Sequence, residues 1–278
     1  MRIAFASVFI FGCVLGCAVA DAAEKKPESV MVRTHTIRTI DNKNIQLDHY
    51  LSGHPQVIIL AHGFYNSKKA VLFKEMAAGL LEEYDVIVFD FRGHGQSSGL
   101  FSWTVNEHRD LQAVLDFAER EYQRIGVIGF SLGAAISLLT AARDSRIHSL
   151  IAVSPPYDFN QINYQFWKMG VMENVVYNVF QEGRAGKGIR PGWPWHKKAK
   201  PIDVVDRIRV PVLFVHGEKD WLIAPEHSRQ LFRKAAKPKE LVVIKGATHA
   251  EYIFRGDKAG TLNIFRKWFR KTLNPSEG

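Results

Sequence analysis

Six short apolar runs rich in Val and Ile recur along the chain, separated by helical stretches, and that alternation restricts the fold more than any other feature. The runs are Val57 to Ala61, Val86 to Asp90, Ile125 to Gly129, Leu150 to Val153, Val212 to His216 and Leu241 to Ile244. Continuous short apolar runs of this kind are strands buried on both faces, as inside a parallel sheet. Lys68 to Glu83, Val105 to Tyr122, Leu132 to Arg143, Pro225 to Ala236 and Gly260 to Thr272 read as the helices that cover those faces. Upstream, Val30 to Ile40 and Ile45 to Leu51 flank the turn-rich Asp41-Asn42-Lys43-Asn44 and predict an antiparallel hairpin at one edge. The expectation is an α/β fold with a mostly parallel sheet of about eight strands.

The alternation is interrupted once. Residues 157–200 fall where a crossover helix is due and are too long for an ordinary loop. They are read as an inserted lid between core segments 30–156 and 201–274. At the other end of the chain, Arg2 precedes an apolar run from Ile3 to Leu15 and then small residues, which reads as an export signal over residues 1–20. Ala18-Val19-Ala20 resembles a signal peptidase site, whereas Val14-Leu15-Gly16-Cys17 resembles a lipobox whose Cys17 would be acylated. The expected location is periplasmic or secreted, with a lipid anchor at Cys17 as the alternative. Residues 21–29 are charged, lack periodicity and read as a tether. Both cysteines lie within the first 17 residues, so a disulfide scaffold and a Cys-ligated zinc site in the core are excluded.

The chemistry begins at Gly129-Phe130-Ser131-Leu132-Gly133, a G-x-S-x-G that follows a strand and opens a helix. On such a turn the serine is held in a strained conformation with its hydroxyl exposed, and the glycines relieve crowding. Chance supplies the pentad in roughly one chain of this length in ten, so context decides. Gly95-Gln96-Ser97-Ser98-Gly99 has the same spelling but lies between loops, and Ser97 is set aside as a nucleophile. A serine hydroxyl needs an imidazole to take its proton and a carboxylate to orient that imidazole. His249, just past the run Leu241 to Ile244, is the imidazole candidate, and Asp220, just past Val212 to His216, is the acid candidate. Glu218 and Asp158 are rivals for the acid.

With these residues the chain resembles an α/β-hydrolase-fold serine hydrolase, similar to the esterase, lysophospholipase and monoacylglycerol-lipase branch. The resemblance runs from Val30 to about Leu273. It rests on the pentad, on Ala61-His62-Gly63-Phe64, on Asp90-Phe91-Arg92-Gly93-His94-Gly95-Gln96-Ser97, and on Pro211-Val212-Leu213-Phe214-Val215-His216-Gly217 leading to Asp220. It implies an oxyanion hole from the backbone N–H groups of Phe64 and Leu132, which would stabilise charge appearing only in the transition state. A single Gly63 stands where some short-substrate esterases carry a run of glycines, so those subgroups match less well.

Other features have plainer readings. His62 and His94 are expected to brace loops rather than to take part in catalysis. Residues 183–188 lack the glycine and hydroxyl positions of a phosphate loop, and nucleotide binding is rejected. Tyr157, Phe166 and Trp167 in the lid, with Phe64 and Trp221, are candidates for lining an acyl pocket. The end of the lid is basic (Arg184, Lys187, Arg190, Lys197, Lys198, Lys200), and the net charge is +9. A solvated face accounts for that, with contact to a membrane surface or an anionic substrate as the sharper alternative. The expected activity is hydrolysis of small-molecule carboxylic esters through an acyl-enzyme, without metal, organic cofactor or nucleic acid. Thioester or small-amide cleavage by the same three residues is the alternative, and a silent binding protein on the same fold is the reading from another class.

Overall fold

The computed structural model describes residues 30–162, 188–193, 195 and 197–273. Most of the segment read as a lid, including Phe166 and Trp167, and the segments read as a signal and a tether lie outside the described residues. Eight strands form one sheet: β1 (Met31–Arg38), β2 (Asn44–Leu51), β3 (Gln56–Ala61), β4 (Asp85–Phe89), β5 (Arg124–Phe130), β6 (Ser149–Val153), β7 (Val212–Gly217) and β8 (Lys239–Ile244). Their spatial order is β1-β2-β4-β3-β5-β6-β7-β8. β1 pairs antiparallel with β2, and β2 with β4, while every other pair is parallel. The mostly parallel sheet and its edge hairpin agree with the sequence expectation.

Period-two alternation divides each central strand between two cores. Ile59, Ile87 and Val127 face one cluster, which is closed by α2 (Glu107–Ala118), α3 (Leu132–Ala141) and α4 (Glu226–Lys234) through Leu111, Ile136 and Leu231. Ile58, Val88 and Ile128 face the other, closed by α1 (Val71–Leu80), α5 (Glu251–Gly256) and α6 (Lys258–Leu273) through Phe73, Phe254 and Phe269. The short α5 was not legible in the sequence, because six residues cannot display a helical period.

The chain leaves β3 for β4 on one side and then returns to β5 on the other. The loops after β3 and β5 therefore diverge from neighbouring strands and open a crevice at the carboxyl edge, the position where open α/β sheets bind ligands.

Candidate active site

Ser131 occupies the turn between β5 and α3 with φ 50° and ψ −109°. A non-glycine residue holds such a backbone only where its surroundings impose it, at a cost of about 1–3 kcal/mol. Here its N–H donates to the Val153 carbonyl at 2.8 Å, and its own carbonyl accepts from Ala135 N–H at 3.1 Å. The two flanking glycines are sterically required. A Cβ on Gly129 would strike the backbone of Gly133 and Ala134, and one on Gly133 would strike the carbonyls of Ala61 and His62.

Loops after β7 and β8 bring two further side chains to this turn. His249 Nε2 lies 3.0 Å from Ser131 Oγ, and its Nδ1 lies 2.7 Å from Asp220 Oδ2. Because the Asp220 oxygen can only accept, Nδ1 carries the proton and Nε2 is left to accept from the serine hydroxyl. Asp220 is itself fixed through its other oxygen, Oδ1, which accepts from Leu222 N–H at 3.0 Å and Ile223 N–H at 2.9 Å. Burial pushes the Asp220 carboxyl up, but His249 and His216 outweigh it and hold the group well below the usual carboxylate range. For His249, burial favours the neutral ring, yet Asp220 outweighs burial and raises its pKa above the ordinary value. The rival acids are occupied elsewhere: Glu218 accepts from Gly246 N–H at 2.9 Å, and Asp158 pairs with Lys200 at 2.8 Å.

The loop after β3 is aimed by a histidine. His62 Nε2 accepts from Phe91 N–H at 3.1 Å, so its Nδ1 is protonated and donates to the Gly63 carbonyl at 2.7 Å. Burial first, with His94 adding to it, pushes His62 down to about 3, which keeps the ring neutral. Asn66 N–H holds the same carbonyl at 3.2 Å. Since the peptide is trans, the N–H of Phe64 points the opposite way. Among the described residues, neither Phe64 N–H nor Leu132 N–H has a protein acceptor. Both residues line the pocket that contains Ser131 and His249. His94 Nε2 meets the Phe64 carbonyl at 2.9 Å, and burial lowers its pKa to about 4.

That pocket has a volume of about 380 Å³ and apolar walls that include Phe64, Phe101, Trp103, Phe159, Trp221 and Ile223. Lys198 stands at its edge with the ammonium 5.1 Å from the centre of the Trp103 ring. Tyr157 is placed elsewhere than expected. Its ring lies over His227 with centroids 4.4 Å apart, its N–H bonds His227 Nδ1 at 3.1 Å, and it is not among the described lining residues. After β6 the chain meets α4 at Tyr157 and contributes to the pocket lining two residues later, at Phe159. Ser97 is also explained: its hydroxyl donates to the Asp90 carbonyl at 2.6 Å and accepts from Gln46 N–H at 2.9 Å, so it ties the loop after β4 to β2.

Three supporting residues escaped sequence reasoning. Glu251 Oε1 accepts from Gly63 N–H at 2.7 Å, and Ser154 Oγ accepts from Ala250 N–H at 3.0 Å, which fixes the backbone just after His249. His216 Nε2 lies 3.1 Å from Asp220 Oδ2. No spacing rule joins these residues to the site. The positions of Glu251 and His216, two after His249 and four before Asp220, are the only hint. Among the described residues, no group of three or more His, Cys, Asp or Glu side chains is arranged to hold a metal ion.

Comparison with known proteins points to one fold. A family model described as alpha/beta hydrolase fold matches residues 56–185, and one described as serine aminopeptidase S33 matches residues 202–253. The uncharacterized protein YqkD of Bacillus subtilis (strain 168) is 28% identical over 220 residues, covering 70% of this chain and 65% of that protein, just under two thirds of its length. The uncharacterized hydrolase YugF of the same organism is 26% identical over 229 residues, 69% of this chain and 83% of that one. Among solved structures, the Pyrococcus furiosus esterase Pf2001 superposes with a TM-score of 0.73 at 22% identity over 88% of this chain and 92% of that chain. The esterase domain of a Rhodothermus marinus protein gives 0.64 at 21% identity over 87% and 100%. At such identities a shared architecture follows and a shared substrate does not. The eight-stranded, mostly parallel sheet and the match over residues 56–185 show that the chain has the α/β-hydrolase fold.

Proposed function

We propose that the chain is a serine hydrolase that cleaves carboxylic esters of apolar acids through an acyl-enzyme. The observation that carries this reading is the position of His249, 3.0 Å from Ser131 Oγ and 2.7 Å from Asp220 Oδ2, on the wall of an apolar pocket. In the first half-reaction, Ser131 Oγ attacks the ester carbonyl as its proton passes to His249 Nε2. The N–H groups of Phe64 and Leu132 stabilise the oxyanion, and His249 returns the proton to the leaving alcohol. Water then repeats the sequence on the acyl-enzyme and releases the acid. Small-amide cleavage stands second, because the serine aminopeptidase model matches the segment that carries Asp220 and His249.

Residues 157–200 are read as a lid over this pocket, a reading supported by the presence of Phe159, Ile162 and Lys198 on its lining. The amino-terminal segment is read as an export signal, which would place the enzyme outside the cytoplasm.

A fluorophosphonate probe and p-nitrophenyl esters of graded chain length test the proposal. The probe should label Ser131. Each methylene buried in the pocket contributes about 0.8 kcal/mol, so kcat/KM should rise roughly fourfold per carbon from acetate until the pocket is full. No labelling and no ester hydrolysis by folded protein would overturn the reading, and hydrolysis of anilides alone would promote amide cleavage.

The acid limb of the rate profile provides a second check. Only neutral His249 can accept the proton, and Asp220 raises its pKa above the ordinary imidazole value of about 6.5. Activity should therefore be lost as pH falls through a point above 6.5, because the ring is then protonated. A kcat/KM profile flat from about pH 5 to 9, with chemistry rate-limiting, would remove His249 as the base.

A further inference from the structure

The acid of the site is shared by two histidines, and the proposed reaction uses one of them. His216, at the end of β7, has a fully buried side chain. Its Nε2 lies 2.8 Å from the Ile223 carbonyl and 3.1 Å from Asp220 Oδ2, the same oxygen that faces His249 Nδ1 at 2.7 Å. Its Nδ1 lies 2.6 Å from Ser228 Oγ on α4. The two oxygens at Nε2, a carbonyl and a carboxylate, can only accept, so Nε2 bears a proton. The serine hydroxyl can donate to Nδ1, so every polar atom of the ring has a partner.

We infer that His216 is a positioning residue of the active site, which acts through Asp220: its Nε2–H is shared between the Ile223 carbonyl and Asp220 Oδ2. Two consequences follow. Together with the N–H groups of Leu222 and Ile223 on Oδ1, this donor leaves the carboxylate one orientation, in which Oδ2 faces His249. It also withdraws charge from the oxygen that stabilises the His249 cation, which moderates how strongly His249 holds its proton. The titratable groups around His216 are Asp220 in the loop that follows β7, His249 beyond that carboxylate, and His227 on α4. The inference rests on the reading of Ser131, His249 and Asp220 as nucleophile, base and acid.

The test compares two substitutions of similar bulk. His216→Gln places an amide N–H near the former Nε2, whereas His216→Met fills the space without a donor. Gln should keep kcat for ester hydrolysis within about threefold of the parent. Met should lower kcat roughly 10- to 100-fold with KM little changed, and should move the acid limb of kcat/KM to higher pH, because Asp220 then concentrates its charge on His249. A role confined to holding β7 against α4 would lower Tm without moving that limb. Equal kcat and equal limbs for the two variants, with both folded by circular dichroism, would overturn the inference. So would a Met variant that does not fold, or a limb that moves to lower pH. Fluorophosphonate labelling of the parent separates the two levels of the argument. If Ser131 is labelled and the variants behave alike, only the role of His216 fails; if Ser131 is not labelled, the reading beneath it fails as well.

Discussion

Replacing Ser131 by Ala should abolish fluorophosphonate labelling and lower kcat for ester hydrolysis by about 10⁴-fold or more, since nucleophile and base act as a unit and the loss of either removes the covalent route. The fold should survive. Ala at position 131 keeps the N–H that bonds Val153 and the carbonyl that accepts from Ala135, and only the hydroxyl facing His249 is lost. The control is Ser97→Ala in the second pentad. Its hydroxyl is engaged by the Asp90 carbonyl and Gln46 N–H, so the change should cost stability, about 1–3 kcal/mol for the orphaned partners, with most of the activity retained. Activity lost in Ser97→Ala and retained in Ser131→Ala would reverse the assignment of the two pentads. Denaturant unfolding and probe labelling, run on both variants, separate the two effects.

Asp220→Asn should be nearly as damaging, with a fall of about 10⁴-fold in kcat, for a reason visible in the hydrogen bonds. Two backbone N–H groups, of Leu222 and Ile223, demand an acceptor at Oδ1 against the single N–H of His216 that Oδ2 shares with the Ile223 carbonyl, so the amide oxygen of the variant occupies the Oδ1 side. Its NH₂ then faces His249 Nδ1 in place of Oδ2. A donor at that point forces the imidazole proton onto Nε2, where it can no longer accept from Ser131. Substrate binding should change little, because the Asp220 side chain has no solvent exposure and does not line the pocket. Glu218→Gln and Asp158→Asn should keep kcat within a few fold, as each carboxylate serves a contact away from His249. Loss of activity in either of those variants, with Asp220→Asn active, would move the acid to the rival position.

The fold was largely legible in the sequence because its strands lie between two layers of helices. Burial on both faces leaves an uninterrupted run such as Val86 to Phe89, all fully buried, and no other environment writes that pattern so clearly. The serine was legible for a related reason. The strained turn at Ser131 admits nothing larger than hydrogen at Gly129 and Gly133, so geometry leaves a mark at fixed offsets. The short helix after His249 left no such mark, and Tyr157, chosen for its ring alone, lies over His227.

What the sequence by itself determined is whatever depends on neighbours along the chain: the alternation of strand and helix, the pentad turn, and the placement of Asp220 and His249 after consecutive strands. Only the tertiary structure decided which acid meets His249, because Asp158, Glu218 and Asp220 all lie in loops at the same edge and differ in partners that spacing does not encode. It also decided that His62 holds the Gly63 carbonyl so that the Phe64 N–H faces away from it, that Glu251 reaches back 188 residues to Gly63, and that His216 and His249 share one carboxylate oxygen. Each of these is a directional hydrogen bond a few ångströms long between segments whose closeness is set by the order of strands in the sheet. Hydrogen bonding of that kind leaves no periodicity in the chain, whereas burial does.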